Sequence, residues 1–332
     1  MKFRIGYLSD AFCDGRSKDF FPVFFTAYDQ HRFEVYGYHT GPVDQITEVF
    51  SAGKVCWRNL TGCSAAEAAQ KIQADALDLL VDLSQGGTSA EIEEILRQCK
   101  EVRIFRNPEE KWCYTPFVRE PDYVVSAPFL AAGVLTFGVC GRLPPEKAEV
   151  FIENVGYLLS KLPQSRLLLP SRFSVICNQP VYQQKLQRKG VRREQIVCLS
   201  EDRLPYEELD MVLGLYDLHV YDICRFADHA IPVVLQAGQE AQNLQWTMQQ
   251  IGLGEFYTRN TAAYVQEAVN LARNHEKLCR LHQLLRWKLH DSALMDVDAY
   301  MIAREEEYDR CIFAGKRNRV YDELVIHLDD AQ

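Results

Sequence analysis

Asp296 and Asp298 in "MDVDAY" have the spacing with which two carboxylates hold a divalent cation. His275, Cys279 and His282 in "NHEKLCRLHQLL" fall at i, i+4 and i+7, one face of a helix that could touch a metal. Each set has a plainer reading. Metal-holding Asp-x-Asp pairs follow a strand, whereas Asp296 and Asp298 begin a helical pattern, where acidic residues favour the positive end of the dipole. The His-Cys-His face has no evident fourth ligand and reads as a solvated or packed surface. Neither set is assigned a metal, and no cofactor is expected. A third stretch, "DLHVYDICRFADHAIPVVLQAGQEA" (217–241), poses a geometrical question. It reads as a strand at Leu218–Tyr221 and another at Ile231–Leu235, with only about nine residues, Asp222–Ala230, between them; parallel strands usually need a dozen or more.

The elements that must position such residues alternate along the chain. Strand-like runs at 3–9 ("FRIGYLS"), 33–39 ("FEVYGYH"), 55–60 ("VCWRNL"), 77–83 ("LDLLVDL") and 101–106 ("EVRIFR") are separated by helical patterns such as "SAAEAAQKIQADA" and "SAEIEEILRQC". This βαβ rhythm predicts a parallel sheet covered on both faces. After "PDYVVSAPFLAAG" the rhythm restarts: "VLTFGVCG", a helix from Pro145 to Leu162, "SRLLLP", a helix near 179–189, "QIVCLS", a helix near 205–213, and then the 217–241 stretch. In the 145–162 helix, Phe151, Val155, Leu158, Leu159 and Leu162 share a face, a core stripe. Ala241, Leu244, Met248 and Ile251 make a similar stripe after the last strand. Helices at about 262–286 and 293–313 close the pattern, with a strand at 323–327 in the tail. The expected architecture is α/β: an N-terminal Rossmann-like domain over 1–128, a C-terminal one over 131–290, and a helix and tail over 292–332, the two domains facing a cleft.

Composition narrows the function classes. The 332 residues are 47% hydrophobic and 25% charged, enough for two domains of roughly 150 residues each. A net charge of −9 argues against a nucleic-acid track, so the basic stretches "QRKGVRRE" and "GKRNRV" read as solvated faces. Eleven cysteines form no Cys-x-x-Cys pair and no zinc-type framework, which suits a reducing compartment. "MKFRIGYLSD" enters a strand pattern without the apolar core of a secretory signal, and no run approaches the roughly eighteen apolar residues of a membrane span. A cytoplasmic protein without membrane or nucleic-acid partners is expected.

The order of motifs reaches a family. "FRIGYLSDAF", "RFEVYGYH", "LDLLVDLSQGGT", "PDYVVSAP", "LPQSRLLLP", "EQIVCLS", "YDLHVYD" and "IPVVLQAGQEAQNLQWTMQQIGL" resemble, in register from about residue 3 to 290, the catalytic region of the O-linked N-acetylglucosamine transferase and SPINDLY-type glycosyltransferases. The resemblance implies the GT-B architecture: two Rossmann-like domains, the sugar nucleotide held mainly by the second, and a C-terminal helix crossing back. The tandem helical repeats of that family, with a period of about 34 residues, do not occur in this sequence, nor does the insertion some members carry between the domains.

The departures fall on chemistry. Where the family carries two histidines after the first strand, "SDAFCDGRSKDFF" places Gly15 and Asp19, and neither serves as an imidazole base. The Gly-Tyr-Pro-Gly-Thr stretch after the fifth strand becomes "FRNPEEKWC", keeping Pro108 alone. The Asn-Gln-x-x-Lys segment, whose Gln and Lys contact the nucleotide diphosphate, aligns with "VCGRLPPEK": Glu146 replaces the lysine, with Arg142 nearby in charge but not in geometry. The Asn-Gly-His-Thr-Thr loop and the helix whose amino end receives the diphosphate would fall in "YDICRFADHAIPVV", about seven residues short, so that a full anion-binding helix scarcely fits. The expected function is a non-catalytic GT-B protein that binds other proteins, an active glycosyltransferase or its acceptor among them. The alternative is an active nucleotide-sugar transferase acting on a protein acceptor with a remodelled donor loop. It requires Arg142, Arg225, His229 or Gln239 to converge on one pocket. A small-ligand sensor is the third reading.

Overall fold

A computed structural model of the chain describes residues 2–53, 55–84, 89–106, 112–116, 125–173, 178–216, 218–236 and 242–329, and for 16, 17, 242 and 315–329 the backbone alone. The chain divides into two compact units, Met1–Arg119 with Asp296–Gln332, and Glu120–Met295. Both are α/β.

The first unit is built on five parallel strands, β1 (Phe3–Ser9), β2 (Phe33–His39), β3 (Cys56–Asn59), β4 (Leu79–Asp82) and β5 (Ile104–Arg106), in the order β3-β2-β1-β4-β5. Ile5–Ser9 and all of β4 are buried, which is why these strands read as continuous apolar runs rather than alternating ones. Between them stand α1 (Pro22–Thr26), α2 (Gln45–Ser51), α3 (Ala65–Ala74) and α4 (Ala90–Gln98). Asp44 and Ser64 open α2 and α3 with capping boxes, and the Ser89 hydroxyl caps α4, so three helix starts are written in local sequence.

In the second unit the parallel strands are β6 (Leu135–Cys140), β7 (Ser165–Leu169), β8 (Ile196–Cys198), β9 (Met211–Gly214), β10 (Val233–Gln236) and β11 (Tyr257–Thr258), in the order β11-β10-β9-β6-β7-β8. The helices are α5 (Phe129–Ala132), α6 (Ala148–Lys161), α7 (Pro180–Arg188), α8 (Val220–Asp228), α9 (Gln242–Gln250), α10 (Thr261–Arg273) and α11 (His275–His290). Asp210 locks the entry to this sheet: its buried carboxylate accepts the Phe129 and Thr136 N–H groups, each at 2.8 Å, while its carbonyl lies 2.8 Å from His282 Nε2.

The chain then returns to the first unit as α12 (Val297–Asp329). Tyr308 of α12 is fully buried against Tyr7 of β1 and Phe105 of β5, at ring separations of 6.4 and 5.4 Å. The Glu305 carboxylate accepts the Asp29 N–H at 2.7 Å and pairs with Arg32, which also meets Asp309.

Four expectations are corrected. The residues expected as a helix near 205–213 are a 3₁₀ turn at Tyr206–Glu208 followed by β9. "PYEELD" has helical periodicity, but the four buried residues "MVLG" fill the slot between β6 and β10. The supposed strand at Leu218–Tyr221 is instead the approach to α8 and its first residues. The short link 222–230 is therefore most of a helix, because the preceding strand ends several residues earlier than expected. A single helix over 262–286 is broken at Asn274, whose side chain caps the Lys277 N–H and starts α11. At 323–327 the backbone is helical rather than extended: β-type residues with no strand to bond satisfy their N–H and C=O groups by continuing α12.

Candidate functional site

In an open parallel sheet the ligand crevice lies beyond the carboxyl ends of the strands where the order reverses, which here is between β6 and β9. The chain leaves β6 through Gly141 at φ +101°, where a Cβ would stand 2.9 Å from the Leu215 carbonyl and 3.1 Å from that of Tyr216. Glycine is thus required by both conformation and space. Immediately after it the Arg142 N–H donates to the Tyr216 carbonyl at 2.8 Å, fixing the two strand exits together and leaving the Arg142 side chain exposed at the edge.

Glu146 and Lys147 follow, both exposed, in a 3₁₀ turn that leads into α6. Lys147 Nζ lies 6.0 Å from the centre of the Tyr216 ring. A cation does stand at this edge, then, one residue beyond the position where the ungapped alignment put Glu146. Only the turn's geometry selects it; composition and spacing give no reason to prefer Lys147 over its neighbour.

Helix α8 begins at the same edge. His219 is its N-cap: the imidazole Nδ1 accepts the Tyr221 N–H at 3.1 Å, and the Asp222 carboxylate accepts the His219 N–H at 3.1 Å, a closed capping box. The expectation that no full helix fits here is overturned. Its amino end, however, is already occupied by its own side chains, and one of them is an anion. His219 was passed over in the sequence because Leu218–Tyr221 read as a strand, in which a histidine carries no capping role.

The remaining residues singled out from the sequence lie elsewhere. Arg225 Nη1 donates to the Tyr221 hydroxyl at 3.1 Å, and its guanidinium stands 5.7 Å from the centres of both the Tyr221 and Tyr206 rings. His229 is the C-cap of α8 and rests on Tyr206, ring centres 4.5 Å apart. At about 1.5 Å of rise per residue, His229 is roughly 14 Å along α8 from the end that faces the crevice. Arg225 and His229 thus converge on Tyr206, not on Arg142. Burial pushes the Tyr206 phenol up, with Arg225 opposing. Gln239 lies outside the described residues, as does Pro108.

In the first unit, the segment after β1 packs its aromatic side chains while Asp10 and Asp14 stay exposed. Phe12 is fully buried among Phe21, Phe25, Phe50 and Trp57, with ring centres 5.0 to 5.7 Å apart. Gly15 meets open space. Asp19 is buried, and its carbonyl accepts the Thr115 N–H at 2.7 Å. An imidazole that the sequence reading missed, His39, ends β2; it is buried beside Phe12 and Trp57 with Nε2 2.9 Å from the Pro42 carbonyl.

The metal candidates have other employment. Asp296 Oδ1 accepts the Ala299 N–H at 3.0 Å, as a helix cap does. His282 is buried, with its pKa pushed down to about 4, and the His275 ring lies tilted against Phe129, ring centres 4.8 Å apart. Among the described residues no group of three or more His, Cys, Asp or Glu side chains is placed to hold a metal ion, and no helix is long and apolar enough to cross a membrane.

Comparison with known proteins finds SPINDLY-type relatives in sequence and glycosyltransferases among solved structures. No family model matches the chain. The probable UDP-N-acetylglucosamine--peptide N-acetylglucosaminyltransferase SPINDLY of Arabidopsis thaliana is 23% identical across 92% of this chain and 39% of its own length. The Solanum lycopersicum protein of the same description is 27% identical across 58% of this chain and 22% of its own. The chain thus spans about two fifths or less of the curated relatives it matches. Among solved structures, a mutant of the Thermobaculum terrenum O-GlcNAc transferase superposes with a TM-score of 0.71 at 20% identity, covering 96% of this chain and 69% of that one. A glycosyltransferase from Rickettsia africae gives 0.58 at 10% identity over 94% and 99% of the two chains. Anabaena HepE, in complex with UDP and glucose, gives 0.52 at 12% identity over 92% and 100%. The fold is that of the GT-B glycosyltransferases.

Proposed function

We propose, for a chain related to the O-linked N-acetylglucosamine transferase and SPINDLY-type glycosyltransferases, a role in binding other proteins through a GT-B scaffold whose sugar-nucleotide site no longer supports transfer. The observation that carries this reading is the closed amino end of α8. A helix terminus holds a diphosphate by offering free N–H groups and the positive end of its dipole. Here the Tyr221 N–H is taken by His219, and the Asp222 carboxylate sits in the first turn. An incoming diphosphate would have to displace the cap and approach a like charge. The donor site is compromised by occupancy of the helix end, not by loss of the helix.

The acceptor side supports the same reading. Gly15 and Asp19 stand where the related enzymes place imidazoles, and His39, the nearby histidine, is enclosed in aromatic packing. Loss of one preorganised stabilising group costs other enzymes about 3 to 4 kcal/mol of transition-state stabilisation, so several losses together abolish useful turnover. A glycosyltransferase partner, or the protein that such a partner modifies, is the class of macromolecule this scaffold would engage.

A second reading has one observation in its favour. Arg142 and Lys147 both stand exposed at the β6 exit, two cations where a diphosphate would need them. Under this reading the chain transfers sugar from a nucleotide donor to a protein acceptor with a remodelled donor loop. The two readings separate in one experiment: incubation with UDP-N-acetylglucosamine or GDP-fucose, followed by calorimetry and by assay of sugar release. The proposal expects no release above buffer and no micromolar binding. Micromolar binding that weakens with Arg142→Ala establishes the second reading.

A further inference from the structure

The stretch "KLQRKGVRRE" (185–194) carries five cations and one carboxylate in a chain of net charge −9. It ends α7, turns at Gly190 with φ +80°, and feeds β8, the terminal strand of the six-stranded sheet. Between α7 and β8 runs a groove of about 140 Å³ with Leu186, Val191 and Ile196 along its floor and Arg192, Arg193 and Cys198 among its other lining residues. Every ionic side chain that lines it is a cation. Among the described residues, Arg188 and Arg193 have no ion pair, whereas Lys185 and Lys189 are held by Glu149 and Glu153 of α6.

The approach to this edge is rigid. Gln195, buried just before β8, donates its amide to the carbonyls of Leu159, Leu162 and Ser165 at 3.4, 3.3 and 3.2 Å. Arg192 Nη2 donates to the Pro163 carbonyl at 2.6 Å. β8 pairs with β7 alone, and the Leu199 N–H donates to the Leu169 carbonyl at 2.8 Å. Successive N–H groups of a strand point to opposite sides, so the Cys198 N–H points away from β7, out of the sheet. A fixed strand edge with an outward N–H, a groove beside it lined by Leu186, Val191 and Ile196 together with polar side chains, and the Arg193 guanidinium on that groove without an ion pair has the three parts that strand addition uses: main-chain bonds, side-chain pockets and charge.

We propose that this edge is a docking site for an extended acidic segment of a partner protein, which adds a strand to β8 while its carboxylates meet Arg193 on the groove. The proposal goes beyond the reading of the donor site and holds whether or not the chain transfers sugar.

The test uses the full chain and a fluorescein-labelled dodecapeptide of alternating glutamate and valine, followed by fluorescence anisotropy at low and at high salt. Saturable binding is expected, weakened at least tenfold by Arg193→Glu and by high salt, and lost when lysine replaces glutamate in the peptide. Cys198→Pro removes the outward N–H without touching the bonds to β7, and should abolish binding while Tm stays within a few degrees of the parent. Should that variant unfold, the same peptide with alternate backbone nitrogens methylated asks the same question from the partner's side. Equal binding of the lysine peptide, indifference to both Arg193→Glu and backbone methylation, or no binding at all overturns the proposal. So does preferential binding of a single-stranded oligonucleotide over the acidic peptide, which would make the edge a phosphate track.

Discussion

On the proposed reading, Asp222 decides more at the candidate site than any cation does. Arg142 was legible in the sequence because an arginine near a phosphate-binding segment is conspicuous, and Lys147 was not, because a one-residue difference in a turn is invisible without the turn. The charge and hydrogen-bond acceptance of Asp222, by contrast, carry meaning only once the residue is known to be the third position of a helix capped by His219. Asp222→Asn keeps an oxygen for the His219 N–H and removes the charge, so it should cost no more than about 1 kcal/mol in stability while raising affinity for inorganic pyrophosphate severalfold. Calorimetry on parent and variant checks this; unchanged pyrophosphate affinity would mean the cap is not what closes the site. Gly141 offers a separate test at the same scale. With φ +101° and carbonyl oxygens 2.9 and 3.1 Å from where a Cβ would stand, Gly141→Ala should destabilise by about 2 kcal/mol or more, read as a lower urea midpoint.

Among elements, β2, β3 and β4 were readable because each is followed by a helix whose cap is local: Asp44, Ser64 and Ser89 announce α2, α3 and α4. The stretch 205–230 was not, because β9 has four residues and lies between β6 and β10, so nothing in its own sequence marks its ends. Misplacing it by several residues turned a helix into an apparent deletion. Just before β9 lies the buried Asp210–His282 contact, and its pH dependence has a definite sign. Burial pushes His282 down to about 4, while an unfolded histidine titrates near 6.5. The unfolded chain takes up that proton first, so stability that is full above 6.5 is lost as pH falls toward 4. Burial raises the Asp210 carboxyl to about 6 against its two N–H donors. There the folded chain takes up the proton first, so stability present below about 4 is lost as pH rises through 6. Each contribution is about 3 kcal/mol at one unit per 1.36 kcal/mol, and across the shared window they oppose one another. His282→Gln should therefore leave a variant whose stability, relative to the parent, falls as pH rises from 4 to 6, and Asp210→Asn one whose relative stability rises over the same range. Urea denaturation of both variants at several pH values checks the pair; parallel slopes in the two would show that the groups do not titrate as described.

At the scale of the whole molecule, the order of two α/β halves was legible because it is written as a rhythm repeated twice, whereas the return of the chain after residue 295 was legible only through the family resemblance, because α12 has almost no amphipathic signal of its own. What ties α12 to the first unit is a few specific contacts: Tyr308 enclosed by Tyr7 and Phe105, Phe313 edge-on to Phe3 at 5.4 Å, and Glu305 holding Asp29 and Arg32. Removing a fully buried aromatic ring typically costs about 3 to 5 kcal/mol, so Tyr308→Ala should be among the most damaging single changes in the chain. The damage should also be local in a defined way, because the ring touches β1 and β5 and the strands of the second unit belong to a different sheet. Hydrogen exchange read by mass spectrometry is expected to rise in peptides covering Phe3–Ser9 and Ile104–Arg106 while those covering Leu135–Cys140 and Met211–Gly214 stay near the parent. Tyr308→Phe, which keeps the ring and removes only the hydroxyl, should restore protection to the first set. Exchange that rises equally in both sets would mean the two units unfold as one, and that α12 stabilises the chain as a whole rather than the sheet it covers.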